Sequence, residues 1–221
     1  MTVILVLVTF FAFVVLDWVL HRGKQPVAVA HAEAARASQL ERIAGFFAPK
    51  NVRYHAGHAW LMRERRNIAR TGADEFAAAL AGDISKIELP KPGQWVRQGQ
   101  KAWTLYRNGE KTEMVSPIEG EVIEVNQEVV KNPALLREEP YGRGWLMTVH
   151  VPDEESTTRN LIPTNLVGSW LQDAVERLYA LQPAVAIATA ADGGEPARDL
   201  LAGVPEVNWQ AVTKQFFLTE E

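Results

Sequence analysis

The dipeptide Asn108-Gly109, set between two strand-like runs, constrains the fold more than any other feature of this chain. A two-residue Asn-Gly loop suits a type I′ turn: both central residues take positive φ, which Asn tolerates and Gly adopts without a Cβ clash. Trp103, Leu105 and Tyr106 lie on one flank and Met114 and Val115 on the other, residue types that fit a pleated, half-buried surface. Two further stretches echo each other around this hairpin. Gly93-Gln-Trp-Val-Arg-Gln-Gly-Gln100 and Gly120-Glu-Val-Ile-Glu-Val-Asn-Gln127 each carry a turn glycine, an apolar strand and a turn residue followed by Gln. Such a pair of units about a central hairpin predicts a compact, flattened β-barrel or sandwich.

The chain has 221 residues, room for one well-packed domain plus appendages. A net charge of −4 supplies no basic face for nucleic acid, so none is expected as a partner. The absence of cysteine excludes disulfides, cysteine-ligated iron–sulfur clusters and a cysteine nucleophile.

From Thr2 to Leu20 the sequence is nearly all apolar and about as long as the ~20 residues a helix needs to cross a bilayer. It predicts a single transmembrane anchor over residues 1–22, with Val3, Leu5, Phe10, Phe11, Val15, Trp18 and Leu20 among its membrane-facing side chains. Asp17 lies about a turn from the end, and His21, Arg22 and Lys24 follow at the interface. With the basic residues on its C-terminal flank, the anchor is expected in the inner (cytoplasmic) membrane, N-terminus out and bulk of the chain cytoplasmic. A cleaved secretory signal is the competing reading, with small-residue sites at Ala28-Val-Ala30 or Ala30-His-Ala32, but nothing basic precedes the apolar run.

Residues 23–50 are expected to form a helical linker. Gln25-Pro26 breaks the anchor, an Ala-rich stretch from His31 to Phe47 reads as a helix with Leu40, Ile43, Phe46 and Phe47 on its apolar edge, and Pro49 ends it. That helix either packs on the domain or binds a partner. Residues 51–163 carry the strand-rich domain. A clean amphipathic helix follows over 164–182, with Leu166, Trp170, Leu171, Ala174, Val175, Leu178 and Leu181 at helical spacing. Residues 183–221 form a C-terminal helical extension, with an Asp192-Gly-Gly194 turn, a short helix over Pro196–Leu201 and a last helix from about Pro205. Its Trp209, Phe216 and Phe217 are candidate interface residues, because an apolar tail either packs across the barrel or docks on a partner.

Several motifs in fixed order carry a family resemblance. Tyr54-His-Ala-Gly-His-Ala-Trp-Leu61, Asn67-Ile-Ala-Arg-Thr-Gly72, Leu80-Ala-Gly-Asp-Ile84, Ile87-Glu-Leu-Pro-Lys-Pro-Gly93, Ser116-Pro-Ile-Glu-Gly-Glu-Val122, Val125-Asn126 and Pro140-Tyr-Gly-Arg-Gly-Trp-Leu146 span roughly half the chain. Together they resemble the glycine cleavage system H protein. The resemblance implies an α+β chain built on a barrel-sandwich hybrid, the lipoyl/biotinyl fold, with flanking helices.

It also implies a carrier lysine within a Glu-Ser-Val-Lys-Ala segment at the hairpin tip. Counted without a gap between Gly99 and Pro117, the family's glutamate falls on Tyr106, its valine on Asn108 and its lysine on Gly109. Gly109 is thus a degenerate lipoyl-site position, with no side chain to form an amide with lipoate. Lys111 is the alternative attachment point, about 6–7 Å along the strand from residue 109 and away from the tip. His55 and His58 form a His-x-x-His pair that on a strand would face opposite ways, so no metal is expected there. The resemblance instead makes His58 a packed or hydrogen-bonded residue. Glu110, Glu113, Glu119, Glu121 and Glu124 read as solvated strand faces. No catalytic residues and no cofactor are expected.

Two functions follow. In the first, the chain is a non-catalytic, membrane-anchored lipoyl-fold subunit or docking module, partnered by other subunits of an integral-membrane complex and lacking a lipoyl arm. In the second, it is an aminomethyl or acyl carrier of a glycine cleavage-type system, with lipoate on Lys111.

Overall fold

Along β8 (Lys101–Arg107) and β9 (Glu110–Val115), Trp103, Leu105, Thr112, Met114 and Val115 are buried while Lys101, Glu110 and Lys111 are exposed. That period-two burial gives the hairpin one core face and one solvent face. Each fully buried large apolar side chain stabilises the fold by about 1.5–3 kcal/mol, which makes the inner face the hairpin's main anchor. The register runs from Lys101 opposite Val115 to Arg107 opposite Glu110, with a bulge between Lys101 and Trp103. Asn108 (φ 50°) and Gly109 (φ 83°) form the two-residue tip.

The structure, a computed structural model, describes residues 40–191, 193–204 and 207–219. Three sheets occur among them. The hairpin joins β6 (Lys86–Glu88) in a three-stranded sheet of order β6-β8-β9. A six-stranded sheet comprises β3 (Arg53–Tyr54), β4 (Ala59–Arg65), β5 (Ile68–Ala73), β7 (Trp95–Val96), β10 (Gly120–Val125) and β11 (Met147–His150). Its order is β3-β4-β5-β11-β10-β7, with every neighbouring pair antiparallel. The two echoing sequence units prove to be partners: β7 pairs with the start of β10, Val96 opposite Gly120 and Trp95 opposite Glu121.

The third sheet is a correction. Leu40, Ile43, Phe46 and Phe47 were expected on a helix, but β1 (Leu40–Ile43) and β2 (Phe46–Pro49) form a two-stranded sheet. The turn explains it: Ala44 (φ 49°) and Gly45 (φ 90°) both take positive φ, which reverses the chain where a helix would continue. Phe46 is buried edge-on against Phe76, ring centroids 5.5 Å apart, so tertiary packing overrides the helix propensity of the alanines around it. Residues 23–39 of the expected linker lie outside the described residues. So does the expected anchor, with Val3, Leu5, Phe10, Phe11, Val15, Trp18 and Leu20. Among the described residues no helix is long and apolar enough to cross a membrane.

Helices close the barrel. α1 (Glu75–Ala81) is capped by Asp74, whose carboxylate accepts from the Ala77 N–H at 2.7 Å, and all its residues except Glu75 are buried. α2 (Gln127–Lys131) is capped by Asn126, which accepts from the Glu128 and Val129 N–H groups. The same Asn126 amide donates to the carbonyls of Arg143 and Trp145, each at 2.7 Å. This side chain joins the Val-Asn motif to the Pro-Tyr-Gly-Arg-Gly-Trp-Leu motif. Beyond α3 (Leu135–Glu138) and α4 (Glu154–Arg159), the amphipathic segment forms a 3-10 turn (Thr164–Leu166) and then α5 (Val167–Leu181). Leu171, Ala174, Val175 and Leu178 are its buried residues, one stripe at i, i+3, i+4 and i+7.

The extension contributes α6 (Pro183–Ala191) and α7 (Trp209–Phe217). Between them, Pro196–Leu201 is not the short helix expected. It runs as irregular chain and turns, held where the Leu200 N–H donates to the Ala79 carbonyl at 3.0 Å.

Candidate functional site

The hairpin tip is the candidate site, and its surroundings differ on its two faces. On the inner face, α7 lies along β9. Thr213 Oγ1 donates to Thr112 Oγ1 at 2.9 Å, with both residues buried, and Trp209 Nε1 donates to the Ala81 carbonyl at 3.1 Å. Phe216 packs on Phe76 with centroids 5.4 Å apart and reaches His58 at 6.3 Å, while the Arg177 guanidinium covers its ring at 5.2 Å. The approach is close at Gly57, where an added Cβ would stand 2.8 Å from Val115 and 3.0 Å from the Phe217 carbonyl oxygen.

Trp209, Phe216 and Phe217 are 4%, 1% and 0% exposed, so of the two expectations for the tail it is the packed one that holds, and their candidacy as an outward interface is corrected. Their aromatic area is already spent on this chain's own core, between α1 and β9. The tail also reaches the base of the tip. Arg107 Nη2 lies 2.8 Å from Asp199 Oδ2, and Arg107 Nη1 donates to Asp199 Oδ1 and to the Ala81 carbonyl, each at 3.2 Å. Both strands of the hairpin are therefore held by residues of the extension, Arg107 on β8 by Asp199 and Thr112 on β9 by Thr213.

The outer face is polar. Tyr106 donates its phenol O–H to Glu88 at 2.7 Å, Lys86 Nζ lies 2.6 Å from the same carboxylate, and Lys86 sits 4.9 Å over the Tyr106 ring. The hydrogen bonds from Lys86 and Tyr106 hold the Glu88 carboxyl below its ordinary range. Lys111 is exposed opposite Tyr106, one rung in from the Arg107–Glu110 pair that closes the tip. Glu113 pairs with Lys101 at 3.2 Å, while Glu110, Glu119, Glu121 and Glu124 are exposed. Glu88 and Glu113 are thus each paired with a lysine on the hairpin's outer face.

His55 and His58 do not lie on a strand. They fall in the turn between β3 and β4, where His58 takes φ 60°. His58 is 0% exposed, its Nδ1 is 2.8 Å from Asp74 Oδ2, and it is stacked on Trp170 at 4.6 Å and tilted against Phe76 at 4.5 Å. It is thus a core residue tied to the α1 cap. Burial lowers the His55 pKa, and His58 adds to that shift. Among the described residues no group of three or more His, Asp or Glu side chains is placed to hold a metal.

Comparison with known proteins gives this geometry its context. The profile of the glycine cleavage H-protein family matches residues 52–173. The chain belongs to that family. It is 34% identical over 115 residues to the glycine cleavage system H protein of Carboxydothermus hydrogenoformans, covering 52% of this chain and 88% of that one. It is 37% identical over 106 residues to that of Thermobifida fusca, covering 48% and 83%. Among solved structures, a crystal structure of a glycine cleavage system H protein from Mycobacterium marinum shares 27% identity, covering 48% of this chain and 87% of that chain with a TM-score of 0.44.

The barrel-sandwich of this family accounts for β3 to α5, and the family match ends within α5. The part of α7 that packs on the hairpin lies wholly outside the matched residues. Sequence reasoning missed Asp74, Asp199, Thr112 and Thr213. Asp74 carried a usable signal, an Asp directly before the Glu75-Phe-Ala-Ala-Ala-Leu80 run, as an N-cap should. A Thr between Leu105-side and Met114-side apolar positions gave none, because its partner lies 101 residues away.

Proposed function

We propose that this H-protein-family chain is a non-catalytic docking subunit of an integral-membrane complex, tethered through its N-terminal apolar segment and carrying no lipoyl arm at the hairpin tip. The observation that carries the reading is the tip itself. Asn108 and Gly109 form the β8–β9 tip, both at positive φ, and the ungapped count against the family motif sets its carrier lysine at Gly109; neither side chain has an amine. These residues do not fit a lipoyl anchor.

Two further features support it. An arm attached near the tip and folded back along the inner face of the hairpin would meet α7, whose Trp209, Phe216 and Phe217 fill that face. The apolar run from Thr2 to Leu20, followed by Arg22 and Lys24, has the length and flanking charge of a cytoplasm-facing anchor. A fixed tether suits a subunit that stays in one assembly better than a carrier that visits soluble enzymes in turn.

Lys111 keeps the carrier reading in view, since it is exposed and enters no ion pair or hydrogen bond through its amine among the described residues. It stands on the strand below the tip, beside Tyr106. The test is extraction of the native membrane in mild detergent, followed by affinity purification of the full chain. Stoichiometric co-purification of integral-membrane subunits supports the docking role. A chain that disperses as a monomer, or one recovered in the membrane-free fraction, contradicts it.

A further inference from the structure

On the far side of the domain, α4 stands over the sheet face of β3, β4 and β5 and leaves a cavity of about 390 Å³. Its floor is apolar, formed by Leu61, Ala69 and Val151, while the charged Arg53, Arg63, Glu154 and Glu155 stand among its walls with Asn51, Thr157 and Thr158. The size falls at the low end of the roughly 300–1,000 Å³ range of small-molecule sites.

The charges decide what fits. Arg63 Nη2 is held by Glu154 Oε2 at 3.3 Å, and Glu154 also accepts from the Asn67 N–H at 2.8 Å. Glu155 is paired with Arg159. Both carboxylates are therefore neutralised, and Arg53 remains. Its guanidinium makes no ion pair among the described residues, and its Nε is buried without a hydrogen-bond partner. A guanidinium presents a planar fork that matches a carboxylate, and a donor left unmet in a buried place costs free energy until a partner arrives.

We propose that this cavity is a binding site for an amphiphilic mono-anion, an aliphatic carboxylate whose head pairs with Arg53 and whose chain lies on Leu61, Ala69 and Val151. One unneutralised cation matches one negative charge. A phosphate monoester would bring a second negative charge, for which the cavity holds no further unpaired cation among the described residues. The aliphatic chain follows from the floor, where the side chains of Leu61, Ala69 and Val151 carry no hydrogen-bonding group. The site lies on the β3–β5 face and is built without the hairpin, so it stands or falls apart from the docking role. A single negative charge on an aliphatic chain is offered by a free fatty acid, as a carboxylate, and by an anionic lipid, as a phosphodiester that would compete for Arg53.

The test uses the full chain in phosphatidylcholine nanodiscs, titrated with carboxyl-13C octanoate against empty discs. Saturable binding is expected, weakened at least tenfold by Arg53→Gln and largely restored by Arg53→Lys, with unchanged circular dichroism in both variants. Inorganic phosphate should not compete. Competition by phosphatidylglycerol doped into the discs, lost in Arg53→Gln, assigns the ligand to the membrane, and its absence assigns a free carboxylate; either outcome supports the site. Equal octanoate binding by Arg53→Gln, or partition no greater than into empty discs, overturns it. So does tighter binding of an apolar tripeptide carboxylate than of octanoate, which would make the cavity a protein-docking pocket.

Discussion

Truncating Phe216 to alanine tests whether the extension is part of the domain. The ring is 1% exposed, packs on Phe76 at 5.4 Å and is covered by Arg177 at 5.2 Å. Removing a buried Phe costs about 3–5 kcal/mol, from lost transfer energy and the cavity left behind. If α7 can undock by itself, the loss is capped by the free energy that docks the helix. That cap is high, since Trp209, Val212 and Phe217 are buried on the same helix. For a chain of this size each kcal/mol shifts the melting temperature by roughly 2–4 °C, so Phe216→Ala should lower it by roughly 6–20 °C. Thermal unfolding by near-ultraviolet circular dichroism measures the shift, and hydrogen exchange at the amides of Thr112 and Val115 reports whether β9 is uncovered. A loss below about 1 kcal/mol with unchanged exchange in β9 would refute the packing of α7 on the hairpin.

Three other expectations concern single positions. Burial raises the Glu75 carboxyl pKa, against the lowering effects of the Phe47 N–H bond and Arg42. With the folded pKa above the unfolded one, its stabilising contribution is present below the unfolded value and is lost as pH rises through the folded value. Glu75→Gln should therefore gain on the parent chain as pH rises from about 4 towards 7, read by urea denaturation across that range; a gain that shrinks with rising pH would reverse the sign. Gly72 faces Trp60, whose ring atoms would lie 2.7 Å from an added Cβ, so Gly72→Ala should cost about 1–3 kcal/mol by overpacking and be seen as a lower denaturation midpoint. Gly109→Lys meets open space, with nothing within 4 Å of its Cβ, and only φ 83° opposes it. A stability loss of about 1–2 kcal/mol is expected from that backbone strain, with no wider change in hydrogen exchange.

The parts legible in the sequence were those fixed by local chemistry. Asn108-Gly109 specifies its own turn, and the repeated glycine-flanked units gave β7 and β10, which pair with each other. Of the stripe expected on α5, Leu171, Ala174, Val175 and Leu178 are buried, while Leu166 and Leu181 at its ends are exposed. What was not legible depended on contacts across long separations. Residues 40–47 look helical by composition, yet the Ala44-Gly45 turn and the burial of Phe46 on Phe76 make them strands. For Trp209, Phe216 and Phe217 the sequence left packing across the barrel and docking on a partner both open, because nothing near them in sequence announces the face between α1 and β9 that they fill. Around the candidate site the tip itself was readable. The Arg107–Asp199 and Thr112–Thr213 contacts that brace it were not, being 92 and 101 residues apart.

The central claim is that the hairpin, at its tip or at Lys111, carries no lipoyl arm, and the intact mass of the full chain, purified from cells that lipoylate their other carriers, tests it most directly. The account predicts the mass of the unmodified chain. An addition of roughly 188 Da, the amount set by one lipoyl amide, localised by peptide mapping to Lys111, would contradict it.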